Sequence, residues 1–300
     1  MPTSLIYAIV VLIWGTTWFT IRFQLGVVAP EISLVYRFAL AAACVFVFAR
    51  LTGTPLRLSW RDHRLVALQG ATLFCLNYWM TYLSTQYLTS GLVAVLFTSI
   101  IFFNIVNGRL ILGTPIERRV LAAAAAGMFG VALLFLPEIR AAIHNPRILH
   151  GAGLALAATY VASLGNMAAS RNTQAGLPVL TVNAYGMAYG AIGLAAIAAL
   201  RGTPVAFDPR WPYVASLLYL SLAGTSLAFG LYLVLIRRIG ASRAAYSSVL
   251  FPVVALAVST LFEDYRWSLA AALGLAVLLA GNALALGGAR AARRSAALPD

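Results

Sequence analysis

Ten apolar stretches of roughly 20 residues each follow one another from Ser4 to Gly288, with only short connectors between them. An α-helix needs about 20 apolar residues to cross a hydrocarbon core about 30 Å thick, so ten spans occupy roughly 200 residues. In a chain of 300 residues the remainder is connectors, and any function must sit inside a helix bundle or at its two mouths. Composition agrees: 62% hydrophobic against 10% charged residues, with a mean hydropathy of +0.89, is outside the range of soluble domains.

The pattern predicts an all-α polytopic membrane protein with spans at 4–21, 33–49, 65–83, 89–110, 119–136, 149–170, 179–200, 213–235, 243–262 and 267–288. Turn residues separate the runs: Gly26 with Pro30, Gly113-Thr114-Pro115, Gly176 with Pro178, and Gly202 with Pro204. The first run lacks a basic leader and passes into Trp14-Gly15-Thr16-Thr17-Trp18 without a cleavage site, so it reads as a retained helix.

The net charge of +13 is distributed by topology. Fourteen arginines, Arg50, Arg109, Arg171, Arg238 and Arg293 among them, lie in the even-numbered connectors or the C-terminal tail; six (Arg22, Arg140, Arg147, Arg201, Arg210, Arg266) lie in the odd-numbered ones. The positive-inside rule therefore places both termini in the cytoplasm. No basic patch interleaved with aromatics is left for a nucleic acid; the expected partners are the lipid bilayer and a small-molecule substrate, with the chain working as a monomer.

The residues that are missing exclude several chemistries. The chain has no lysine, which rules out a Walker A phosphate loop and a Schiff-base cofactor. Cys44 and Cys75 both fall within spans, and His63, His144 and His150 fall on connectors, so neither a disulfide framework nor a metal site is expected. No catalytic constellation assembles at one depth, and no cofactor or enzymatic activity is expected. No acid lies mid-span either: Glu31 and Glu263 sit at span ends. A cargo that is neutral overall, moved without a titrating carboxylate, fits this pattern.

Halving the chain gives two five-span units, residues 1–148 and 149–300, the second with a short basic cytoplasmic tail. Pro30 with Arg37 is echoed by Pro178 with Tyr185, the segment before span four (Tyr87 to Gly91) by that before span nine (Arg238 to Ser242), and Gly130 by Gly281. Five spans per unit would place the second copy upside down in the membrane, as in many secondary transporters.

With Trp14-Gly15, Pro30 and Arg37, Thr89-Ser90-Gly91, Gly240-Ala241-Ser242-Arg243, Pro252 with Glu263, and the Gly274 to Gly281 spacing, the chain resembles the EamA family of the drug/metabolite transporter superfamily over essentially its whole length. The first half departs from the pattern, with Ile100 where the second has Pro252. The resemblance implies a ten-helix fold of two inverted five-helix repeats around a central chamber. It also implies the bacterial inner membrane and export of amino acids, aromatic ones included, and related metabolites.

Candidate chamber residues are aromatic, hydroxyl and amide groups at matching depths: Trp14 and Thr17 on the first span, Asn77, Tyr78 and Tyr82 on the third, and Phe97 on the fourth. Tyr160 and Ser163 on the sixth and Tyr246 and Ser247 on the ninth complete the set. Each also has a plainer reading, as interfacial belt or helix-to-helix glue. Arg37 is the one charge within a span; it reads as an architectural arginine near the interface or as a contact for an anionic group of the cargo. Pro252, mid-way along the ninth span, is the candidate hinge. The sequence therefore predicts an exporter of amino acids working by alternating access. A carrier of another neutral metabolite, such as a nucleoside or sugar derivative, is the alternative, ahead of a channel, which saturable counterflow would distinguish.

Overall fold

The computed structural model describes residues 1–116, 118–141, 145–239, 244 and 247–295, and all the regular structure among them is helical. Helix α1 (Thr3–Thr20) runs on through a 3-10 turn, Ile21–Gln24, and is followed by α2 (Pro30–Leu51). Helix α3 (Trp60–Gln69) passes through a π-helical turn, Gly70–Leu76, into α4 (Asn77–Ser84). Helices α5 (Ser90–Phe97) and α6 (Ile100–Leu112) form one rod interrupted at Thr98-Ser99, and α7 (Arg118–Leu134) is followed by the short α8 (Leu136–Ala141). The second half repeats the sequence of elements: α9 (Arg147–Gln174), α10 (Val179–Leu200), and α11 (Trp211–Leu218) leading through a π-helical turn, Tyr219–Leu227, into α12 (Ala228–Ile239). It closes with α13 (Ser247–Phe262) and α14 (Leu269–Ser295).

Six of these rods are long and apolar enough to cross a membrane: Thr3–Gln24, Pro30–Leu51, Ser90–Leu112, Arg147–Gln174, Val179–Leu200 and Trp211–Tyr232. Val120–Leu134, Ser247–Phe262 and Leu269–Leu284 are apolar but shorter. The sequence reading has ten. The rod formed by α3 and α4 departs most, because its first turns carry Arg61, Asp62, His63 and Arg64 and its interior carries Gln69 and Asn77. Its start is fixed by a capping box, in which Ser59 Oγ accepts from the Asp62 amide while the Asp62 side chain accepts from the Ser59 amide.

Packing repeats along with the elements. Helix α2 lies against α10 and α7 against α14, while α1 lies against α13 as α9 lies against α5 and α6. Exchanging the two halves maps this set of contacts onto itself. The α7–α14 contact is made backbone to backbone: a Cβ on Gly281 would stand 2.5 Å from the Gly127 amide nitrogen, and one on Gly130 would stand 2.7 Å from the Gly274 carbonyl oxygen. Small residues on both faces are what let the two rods come this close.

Two large apolar clusters dominate the interior. One gathers Leu34, Phe38, Phe74, Met187, Leu194 and Leu220 from α2, α10 and the two π-helical turns; the other gathers Leu92, Leu96, Leu134, Leu256 and Leu278 from α5, α7, α13 and α14. Ile21 belongs to the first and Trp18 packs on the second. Both residues also face the cavity between the clusters.

Candidate substrate cavity

Polar or aromatic turns of seven rods meet around a cavity of about 270 Å³. Helix α1 contributes Trp14, Thr17, Trp18 and Ile21; α2 contributes Arg37; α4 contributes Asn77, Tyr78 and Thr81. The broken α5–α6 rod adds Ala94, Phe97, Thr98, Ile100 and Ile101. Gly224 and Phe229 come from the α11–α12 rod, Ser248, Phe251 and Pro252 from α13, and Asn282 from α14.

Local distortions shape this wall. In the π-helical turn Tyr219–Leu227 the Thr225 and Ser226 hydroxyls donate to carbonyls five residues back, on Leu220 (2.8 Å) and Ser221 (3.2 Å). The Gly224 carbonyl of that turn accepts the Trp14 indole N–H at 2.9 Å. Trp14 is thereby held with its ring against Phe229, Tyr232 and Phe251, centroids 5.2 to 5.5 Å apart, while Trp18 meets Phe97 at 5.2 Å. π-Helical turns widen a helix locally and recur at functional sites. Pro252 lacks an amide proton and so removes one turn-closing bond from α13 beside the cavity.

Among the described residues Arg37 is the only charged one in the lining, and it is 2% exposed. Its guanidinium lies 4.8 Å from the centre of the Tyr78 ring and 5.5 Å from that of Phe38, both cation–π contacts. Its Nη1 donates to the Tyr82 hydroxyl at 3.3 Å, and its Nε has no hydrogen-bond partner. The three ion pairs among the described residues are Arg22–Glu263, Arg201–Glu31 and Arg210–Asp208, so no carboxylate is spent on Arg37. Beside it, Asn77 donates to the Leu73 carbonyl at 3.1 Å and leaves its Oδ1 buried and unpartnered. Asn282 likewise leaves its Nδ2 unpartnered. A lining with unanswered buried hydrogen-bonding groups is expected where a ligand or water completes the set.

One turn beyond this lining, past Ile21 in the 3-10 turn and before Ala94 on α5, Glu263 ties helices together. Its carboxylate accepts from the Ser90 amide (3.0 Å), from Arg22, and from the hydroxyls of Ser90 and Ser259. Burial pushes this carboxyl up, but the Ser259, Ser90 and Arg22 hydrogen bonds outweigh it and hold the group below its ordinary value. Glu31 is occupied as well, accepting from Arg201 (3.2 Å), Thr203 (2.8 Å) and Trp79 (3.3 Å).

Of the residues picked out in the sequence, Trp14, Thr17, Arg37, Asn77, Tyr78, Phe97 and Pro252 line this one cavity. Tyr82 stands behind Arg37, fully buried, and holds it from the rear. Three are not brought there. Tyr160 is 42% exposed and packs on Phe103; Ser163 is buried between helices, accepting from Asn107 at 3.0 Å; Ser247 donates to the Ala244 carbonyl at 2.8 Å. The physical reason for the first two is that α9 turns this face to α6 and not to the cavity. Tyr246 and the Gly240 to Arg243 motif lie outside the described residues. Sequence reasoning missed Gly224, Phe229, Phe251 and Asn282. Asn282, a lone amide beside Gly281 in an otherwise apolar run, was the signal available for the last of these.

A bundle of apolar helices, six of them long enough to cross a membrane, around a ring-lined cavity fits one class of protein, the membrane transporters. The EamA-like transporter family model matches residues 2–136 and again residues 149–287, and the chain belongs to that family. It is similar, at 26% identity over 285 residues and 91% of each chain, to a protein of Escherichia coli (strain K12) described as a probable amino-acid metabolite efflux pump. A solved crystal structure shares the fold with a TM-score of 0.67 at 18% identity, covering 96% of this chain and 97% of the other.

Proposed function

We propose that the chain is a secondary transporter that exports amino acids, aromatic and other neutral ones, and related small metabolites by alternating access through the central cavity. The observation that carries this is the cavity itself, about 270 Å³ and close to the lower end of the roughly 300–1,000 Å³ of small-molecule sites. Aromatic walls suit an apolar side chain, and Arg37 suits the carboxylate. The efflux function named for the E. coli relative supports the direction of transport and the class of cargo.

The reading includes ten membrane crossings arranged as two inverted five-helix units, 1–148 and 149–300, in the bacterial inner membrane with both termini cytoplasmic. Support comes from the two family matches, the self-exchanging helix contacts and the π-helical turns in corresponding rods. Pro252 is the hinge of this cycle. The chain works as a monomer without a cofactor.

The test is counterflow in liposomes containing only this protein, with labelled phenylalanine outside and unlabelled amino acid inside. Among the described residues no carboxylate lines the cavity, so saturable counterflow should persist when an ionophore collapses the proton gradient. Absence of counterflow for every amino acid, in protein shown to be folded, refutes the proposal.

A further inference from the structure

We infer that the cavity selects its cargo by net charge and favours monoanions over zwitterions: carboxylates with an apolar, ring-bearing body and a neutral hydrogen-bond donor, but no ammonium group. N-acylated aromatic amino acids, and the 2-hydroxy acids in which a hydroxyl replaces the amine, have this chemistry. The inference rests on the reading of the cavity as the transport site and, within the proposed cargo, ranks the related anionic metabolites above the amino acids themselves.

The charges decide it. Arg37 is permanently cationic, 2% exposed, and is not a member of any ion pair among the described residues. Its present neighbours are the rings of Tyr78 and Phe38 and the hydroxyl of Tyr82, which soften the burial of a cation but do not neutralise it. Its unpartnered Nε is a donor awaiting an acceptor, and a carboxylate is the acceptor that suits a guanidinium best. One cargo carboxylate makes the site neutral.

An ammonium on the same cargo has no such answer. Among the described residues no Asp or Glu lines the cavity. The two acids at the span ends are already engaged, Glu31 by Arg201, Thr203 and Trp79, and Glu263 by Arg22, Ser90 and Ser259. A zwitterion would hold its second charge against rings in the same low-dielectric space as the guanidinium, where like charges repel. The unpartnered Asn77 Oδ1 can accept one hydrogen bond, which an amide N–H or a hydroxyl supplies without bringing a charge. The arrangement is thus one cation, an unpartnered acceptor on Asn77, an unpartnered donor on Asn282, a few hydroxyls and aromatic walls.

Apparent affinities in liposome counterflow test this with three ligands of one ring and three charges: N-acetylphenylalanine (anion), phenylalanine (zwitterion) and 2-phenylethylamine (cation). An uncompensated buried charge should give N-acetylphenylalanine an affinity at least about tenfold above that of phenylalanine, with 2-phenylethylamine failing to compete. Arg37→Gln should abolish the advantage, and Arg37→Lys should keep part of it. If Arg37→Gln fails to fold, the wild-type ranking and Arg37→Lys decide. Equal or better affinity for phenylalanine overturns the inference and leaves the transport reading standing, as does a folded Arg37→Gln protein that still prefers the anion. If neither phenylalanine nor its N-acetyl form is carried saturably, the underlying reading fails and the inference with it.

Discussion

At Glu263 a single carboxylate joins three helices, accepting from Arg22 at the end of the first rod, from the amide and hydroxyl of Ser90 at the start of α5, and from Ser259 on α13. Charge-assisted hydrogen bonds of this kind are each worth roughly 1.5–3 kcal/mol. Glu263 lies one residue past α13, and its bonds hold its carboxyl below the ordinary value of 4.5. A group whose folded value is lowered adds stability that is fully present above its unfolded value and is lost as pH falls through the lowered one. Thermal stability in detergent should therefore decline below about pH 4.5 in the wild type. Glu263→Gln should start lower at neutral pH, by roughly 1.5–3 kcal/mol, and lose this acid-dependent component; an equally steep acid decline in the variant would show that the carboxylate is not the titrating tie. Residues such as this one were only partly legible in the sequence. The Pro252 and Glu263 pairing was visible, whereas the hydrogen bonds from Ser90 and Ser259 need two chain-distant helix ends to meet. Arg37 illustrates the same limit: its position within a span was plain, but whether it reaches the interface or the interior depends on Tyr78 and Tyr82 lying beside it.

Elements were the more legible level, because apolar run length and turn residues act locally. Gly113, which ends α6 with a φ of 70°, and Pro30, the first residue of α2, fall where the turn chemistry put them. The distortions were not legible. The π-helical turns Gly70–Leu76 and Tyr219–Leu227 pack closely on neighbouring rods, as at Gly70, where a Cβ would stand 2.6 Å from the Gly186 carbonyl oxygen. The α7–α14 contact gives a direct test of such packing. Valine at Gly130 would push side-chain atoms into the Gly274 and Leu278 backbone, which cannot move aside cheaply; the expected loss is at least about 1–3 kcal/mol of stability. Gly153→Val, at a position where a Cβ meets nothing within 4 Å, is the control and should melt close to the wild type. Equal melting of the two variants would contradict the backbone-to-backbone contact.

At the scale of the whole molecule, the proposed orientation rests on arginine placement, fourteen in the even-numbered connectors and tail against six in the odd-numbered connectors. In a background lacking Cys44 and Cys75, a cysteine replacing Arg293 should be protected from an impermeant thiol reagent in intact cells, while one replacing Arg266 should react; the opposite pattern would invert the molecule. The central claim is that cargo passes through the ring-lined cavity. Thr17 lies in its wall, half-buried, with its methyl group close to Gly224, and in the same background Thr17→Cys places a thiol there. In liposomes containing only this variant, a bulky thiol reagent should abolish counterflow of labelled phenylalanine, and saturating unlabelled cargo should slow the modification. Complete modification of the cysteine with counterflow undiminished would contradict the account.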